Sequence, residues 1–301
     1  MTDFAAEMFD IGPAFLQDKL VCGVVGKDDE IYQDFVVSPL NGRGENYLRA
    51  SGETLALLNK VLCESLVSIG PVEDKEQLAR FVTGLSTVDR LIALIAVRRA
   101  THGDIYQMTV PLPDDHHKFE YPDGTKRYKV DLTTLDRTYM EDPEKRRRDD
   151  LIELAHRDDP EKAAKFQIEW HVMNGADEQW LDKVRPALKG VASSSLELLC
   201  RLDAVTRTDT QEAKRAEVKR GRYDEKARRL NEQLKQSLAL IDAMPSKLLQ
   251  GIRNLFDRYE GDVDLSLDFE YLDADRETRM FKGAMDPRQR EFFFPREASN
   301  S

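Results

Sequence analysis

A helix handing over to a strand between Leu85 and Pro113 constrains this chain more than any other stretch. In LSTVDRLIALIAVRRATHGDIYQMTVPLP, the residues Val88, Leu91, Ile92, Ile95 and Ala96 recur at three- and four-residue spacing, which predicts a buried helix from Thr87 to Thr101. Ser86 or Thr87 can cap its start, and Asp89 complements its dipole. Gly103 ends the helix where a left-handed residue costs nothing. Ile105, Met108 and Val110 then lead into a strand bounded by Pro111 and Pro113. The stretch contains no nucleophile, metal box or phosphate loop, so it speaks for architecture.

The flanks extend that architecture. Residues 1–30 read as an N-terminal arm with an apolar segment from Phe15 to Val25. Tyr32, Phe35 and Val37 suggest a strand, and Ser38 to Gly44 reads as a loop that lacks the GxxxxGK[ST] spacing of a phosphate cradle. The stripe Leu55, Leu58, Leu62, Leu66 and Ile69 predicts a helix stopped by Gly70-Pro71, and Lys75 to Thr83 predicts a second. Residues 31–140 thus form a helix bundle plus a β-hairpin, whose arms are Phe119–Tyr121 and Arg127–Leu132. Asp114-Asp115-His116-His117 has the residue types of a metal site, but four adjacent residues in one turn do not converge on one ion.

Residues 141–162 carry dense charge of both signs and mark a domain boundary. Arg146, Arg147 and Arg148 lie beside Asp149 and Asp150 and read as an exposed helix face. Residues 163–301 form a helical domain with a long charged helix over 211–243, whose seam is Tyr223, Ala227, Leu230, Leu234, Leu238 and Ile241. Val263, Leu265, Leu267, Phe269 and Tyr271 alternate with polar residues and open a C-terminal β-hairpin. Arg98–Val110 and Arg253–Phe269 both run helix, Gly-Asp, strand, an internal echo. The expected class is α+β and mostly helical, with helical bundles, two small helix-strand-hairpin units and one long charged helix.

Composition narrows the function. A net charge of -11 argues against nucleic-acid binding, and no apolar run reaches the roughly 20 residues of a membrane span. The charge-mixed start MTDFAAEMFD is unlike a signal peptide, so the protein is expected in the cytoplasm at synthesis. Cys22, Cys63 and Cys200 are too dispersed for a zinc box. No HExxH, GxSxG or Cys-His signature appears, and with 56 acidic residues carboxylate pairs arise without meaning. No catalytic residue, cofactor or metal ligand is assigned.

Ordered landmarks carry a family resemblance. They are the Ser38–Gly44 segment, a leucine helix ending in Ser68-Ile69-Gly70, Asp89-Arg90 with Arg98 on one helix, Gly103-Asp104, and Val130-Asp131-Leu132. Gly261-Asp262-Val263-Asp264 and the late Phe-Phe-Phe-Pro follow. In this order the chain resembles the baseplate-hub and tail-assembly proteins of contractile-tailed bacteriophages and related injection systems, with residues 145–230 little covered. Where that family has Cys-Pro-x-Cys and Cys-x-x-Cys knuckles, this chain has Leu112-Pro113-Asp114-Asp115 and Tyr271-Leu272-Asp273-Ala274. The resemblance implies a non-enzymatic structural component or assembly factor that binds baseplate, hub or spike proteins and can become part of the particle. A transient chaperone for a hub or spike subunit is the alternative, and a carboxylate-based cell-wall hydrolase ranks below it. Leu230, Leu234 and Leu238 on the seam, with Phe292, Phe293 and Phe294, are the candidate interface residues; the same groups would equally fill the chain's own core.

Overall fold

The chain builds one series of elements twice. The computed structural model describes residues 15–49, 55–112, 124–143, 145–155, 163–185, 188, 190–210, 212–220, 223–224, 229–230, 232–272 and 277–294. In the first series, strands β1 (Leu16–Val25) and β2 (Ile31–Val37) pair antiparallel. Helices α1 (Gly42–Arg49) and α2 (Leu55–Ser65) then lead to β3 (Leu66–Ile69), which joins the free side of β2. Helices α3 (Lys75–Gly84) and α4 (Thr87–His102) follow, and Gly103-Asp104 opens the hairpin of β4 (Ile105–Pro111) and β5 (Thr125–Asp131).

After a short β6 (Arg137–Thr138), the second series repeats this order. Strands β7 (Arg147–Leu154) and β8 (Ala164–His171) pair, and α5 (Gly175–Val184) and α6 (Ser193–Arg201) lead to β9 (Leu202–Arg207) beside β8. An extra strand, β10 (Lys214–Glu217), extends that sheet. A two-residue pair follows, β11 (Tyr223–Asp224) with β12 (Arg229–Leu230). Helices α7 (Glu232–Asp242) and α8 (Ser246–Tyr259) then reach Gly261-Asp262, β13 (Asp262–Val263), and the hairpin of β14 (Ser266–Leu272) and β15 (Thr278–Ala284). A last short helix, α9 (Arg290–Phe293), ends the described chain. In both series the last long helix packs on the first strand, α4 on β1 and α8 on β7.

Helix α4 is the centre of the molecule. Ser86 caps it by accepting from the Asp89 N–H at 3.1 Å, and Gly103 closes it at φ 81. Residues Ile92 to Arg98 are buried on every side, because β1, α2, β13 and α9 all pack around them. Such a helix must neutralise its own polar groups. Arg98 does so with backbone oxygens: it donates to the carbonyls of Phe292 (3.0 Å), Gly103 (3.0 Å) and Ile105 (3.4 Å), and lies 5.2 Å from the Tyr106 ring centroid. One apolar core runs from Phe35 and Ile95 to Trp170 and Phe256, across the charged segment 141–162. The two hairpins also meet, through Tyr128 and Phe269 with centroids 4.5 Å apart and through Lys126 and Tyr128, both donating to the Glu270 carbonyl at 2.6 Å.

The expectation of a mostly helical protein is overturned: strands and helices share the fold about evenly, and each series centres on an antiparallel sheet. Phe15–Val25 is no arm, since Leu20, Val21, Cys22 and Val24 of β1 are core residues. The leucine helix stops at Ser65; Leu66 and Ile69 pair with Val37 and Phe35, which satisfies their backbone groups as a helix end would not. Part of the Ser38–Gly44 loop is the start of α1, with Asn41 Oδ1 accepting from Arg43 and Gly44 N–H. Arg147 and Arg148 belong to a strand. The long charged helix over 211–243 is overturned: among the described residues of its first two thirds lie the strands β10, β11 and β12, and helix begins at Glu232. Lys214–Glu217 is an edge strand, where charged side chains stay solvated while the backbone pairs with β9. The first hairpin pairs Ile105–Pro111 with Thr125–Asp131, and Phe119–Tyr121 lies outside the described residues.

Candidate functional site

A cavity of about 680 Å³ opens where the two series meet. One wall is a bulge in β1. Lys19 pairs with Asp34, but pairing resumes only at Val24 opposite Tyr32, so the residues between them lose their ladder partners. Gly23 turns this corner at φ 71, where an added Cβ would lie 2.8 Å from the Tyr32 carbonyl oxygen. The orphaned groups find partners in both series. Asp89 Oδ1 accepts from the Val21 and Cys22 N–H groups at 2.8 and 3.0 Å, and Arg146 Nη2 donates to the carbonyls of Cys22 (2.6 Å) and Gly23 (2.7 Å). Asp89 is fully buried. Burial lifts its carboxyl from 3.8 to about 6, against the Cys22 N–H bond and the nearby Arg146 charge, which favour the anion. Burial and the Asp89 charge likewise push the Cys22 thiol up to about 12, so it is no nucleophile.

The opposite wall is the turn from β8 into α5. Asn174 and Asp177 form a reciprocal capping box, with Asn174 Oδ1 accepting from Ala176 N–H (2.8 Å) and Asp177 Oδ2 from Asn174 N–H (2.8 Å). Gly175 follows because α5 starts hard against the end of α3: its N–H donates to the Leu85 carbonyl at 2.9 Å, and a Cβ there would lie 2.2 Å from the Thr83 oxygen. Nearby, Arg90 donates to Asn59 and Leu85 and pairs with Glu178, which also accepts from Thr87. These bonds tie the first turn of α4 to α5.

His171 is the histidine of the cavity wall. Its Nδ1 is 3.1 Å from Asp203 Oδ1, and its Nε2 faces Arg220 and Asp177. The ring is thus held between two carboxylates and a guanidinium. Arg220 also pairs with Asp177 and donates to the Cys200 carbonyl at 2.7 Å. Burial raises the Asp177 carboxyl, but His171, the Asn174 N–H and Arg220 outweigh it and hold it below the usual range. With both ring nitrogens engaged, His171 works here as a brace between β8, β9 and the chain after β10.

The sequence-derived interface residues lie elsewhere. Leu234 is buried in α7 and Leu238 is half-buried against the core; the side chain of Leu230 is outside the described set. Phe292 and Phe293 are buried, with Phe292 5.0 Å from Tyr106 between ring centroids, and Phe294 is half-buried beneath the Arg49 guanidinium at 4.9 Å. Leu234, Leu238 and the three phenylalanines therefore pack in or against the chain's own core. Leu112, Tyr271 and Leu272 of the knuckle positions sit in or beside the hairpin strands, whereas Pro113-Asp114-Asp115, His116-His117 and Asp273-Ala274 lie outside the described residues. Among the described residues no group of three His, Cys, Asp or Glu is placed to hold a metal ion, and no helix is long and apolar enough to cross a membrane. Sequence reading missed the cavity. The Asn174-x-x-Asp177 capping signature was visible, but the Asp89 and Arg146 roles depend on a bulge distant in sequence.

Compared with known proteins, the chain matches no family model, no curated protein and no solved structure.

Proposed function

We propose that this protein is a non-enzymatic structural component or assembly factor of the baseplate or hub of a contractile tail or a related injection machine, acting by binding other tail proteins. The observation that supports the reading is the repeated helix, Gly-Asp, hairpin unit, with Gly103-Asp104 and Gly261-Asp262 following the last long helix of each series. The paired hairpins are the working surface of this proposal. Their two-stranded sheets leave outer strand edges without a further strand among the described residues, and Ile105 on β4 and Met280 on β15 are 48% and 56% exposed. Such edges accept an added strand from a partner. The engaged nitrogens of His171 and the protonated thiol of Cys22 also favour binding over chemistry.

The test is particle assembly. Cells producing the particles without this gene are expected to accumulate tubes and sheaths lacking baseplates by electron microscopy, and normal particles would refute the function. Ile105→Glu with Met280→Glu is expected to leave the circular dichroism of the pure protein unchanged and to block assembly in the same cells. Normal particle yield with this variant would refute the hairpin surface.

A further inference from the structure

The cavity between the two series has a charge balance that its structural bonds do not explain. Two arginines line it with no carboxylate in ion-pair contact, Arg80 from α3 and Arg147 at the start of β7, and Arg146 beside them has its charge near the buried Asp89. Arg80 and Arg147 are exposed, and among the described residues neither side chain has a hydrogen bond or an ion pair. Arg146 directs Nη2 at two carbonyls, while its Nε is buried with no acceptor. The carboxylates lining the same space are engaged, Asp177 by Arg220 and His171, and Asp203 by His171. On the far side of Arg80 a smaller chamber holds Asp74 and Glu76; Asp74 caps α3 through the Gln77 N–H, and neither is in ion-pair contact with Arg80.

A chain with 56 acidic residues and a net charge of -11 thus gathers positive charge in a concave space. Like charges around a cavity repel, and their field attracts and holds an anion. Arginine is also the side chain whose planar fork matches phosphate and carboxylate oxygens. Phe81, Val172 and Val218 add apolar side chains to the same wall. The volume of about 680 Å³ lies within the range of small-molecule sites.

We propose that this cavity binds a small ligand carrying a phosphate or carboxylate group, with the oxyanion taken by Arg80 and Arg147 and its apolar body against Phe81, Val172 and Val218. Arg80 and Phe81 come from the first series, and Arg147, Val172 and Val218 from the second. A bound ligand therefore fastens one series to the other. This site is independent of the hairpins and of the assembly role.

Isothermal titration of the full chain with phenyl phosphate and, separately, benzoate at constant ionic strength tests it. The expected result is a saturable 1:1 isotherm with a Kd of about 1 mM or tighter for at least one probe. Arg80→Gln and Arg147→Gln should each weaken it about tenfold, since each removes a charged hydrogen bond. Binding of phenyl phosphate alone assigns the ligand as a phosphate, and binding of benzoate alone as a carboxylate. Both variants alter exposed side chains, and unchanged circular dichroism checks their folding. No saturable heat from either probe up to about 10 mM, or binding that both substitutions leave unaltered, would overturn the proposal.

Discussion

Replacing Asp89 with asparagine should change the pH dependence of stability in a direction fixed by its burial. The carboxyl holds its proton more tightly in the folded chain, at about 6 against 3.8 for the free group. Its contribution to stability is therefore full below about pH 4 and is lost as pH rises through 6. The difference of about two pKa units corresponds to about 3 kcal/mol. Asparagine keeps the oxygen that accepts from the Val21 and Cys22 N–H groups but does not titrate. Urea unfolding of both proteins at pH 4, 5, 6 and 7 isolates this residue, because the other titrating groups are shared and cancel. Relative to the wild type, Asp89→Asn should gain about 2 kcal/mol between pH 4 and pH 7, because part of the change already lies below pH 4. A difference that stays flat across this range, or moves the other way, would refute the reasoning.

Other substitutions probe the packing. Phe293→Ser should lower stability by about 3 kcal/mol or more in urea unfolding, since the ring is fully buried; an unchanged midpoint would return the tail to the surface. Gly175→Ala should cost about 1–3 kcal/mol, measured by thermal melting, because the new methyl group meets the Thr83 carbonyl and Arg90. Ile95→Asp should abolish soluble folding, whereas Arg147→Ala should retain a cooperative melt, since Ile95 is in the centre of α4 and Arg147 is exposed. Elemental analysis of chelator-free protein should find no stoichiometric zinc, as both knuckle positions lack thiolates.

Local pattern was enough for the elements whose preference and burial agree. The 3.6-residue spacing of Leu91, Ile92 and Ile95 with Ser86 and Gly103 at the ends located α4 within a residue, and the alternation from Val263 to Tyr271 located β14, although the structure divides that stretch and pairs Val263 with β6. The Gly-Asp echo pointed to a repeat, although it revealed only the end of each series. Tertiary structure decided the rest. Leu66–Ile69 is a strand because β2 lies beside it, and Lys214–Glu217 is a strand because β9 offers an edge; neither partner can be read from the segment itself. Asp89 has the spacing of an ordinary first-turn acid, and it becomes a buried clamp only because a bulge 68 residues earlier leaves two N–H groups without a ladder. Likewise the arginines of the cavity read as solvated charge in sequence, and they line one cavity because two separately patterned series dock. Hydrophobic period fixes which residues are hidden, whereas the meeting of polar groups depends on the path of the backbone between them.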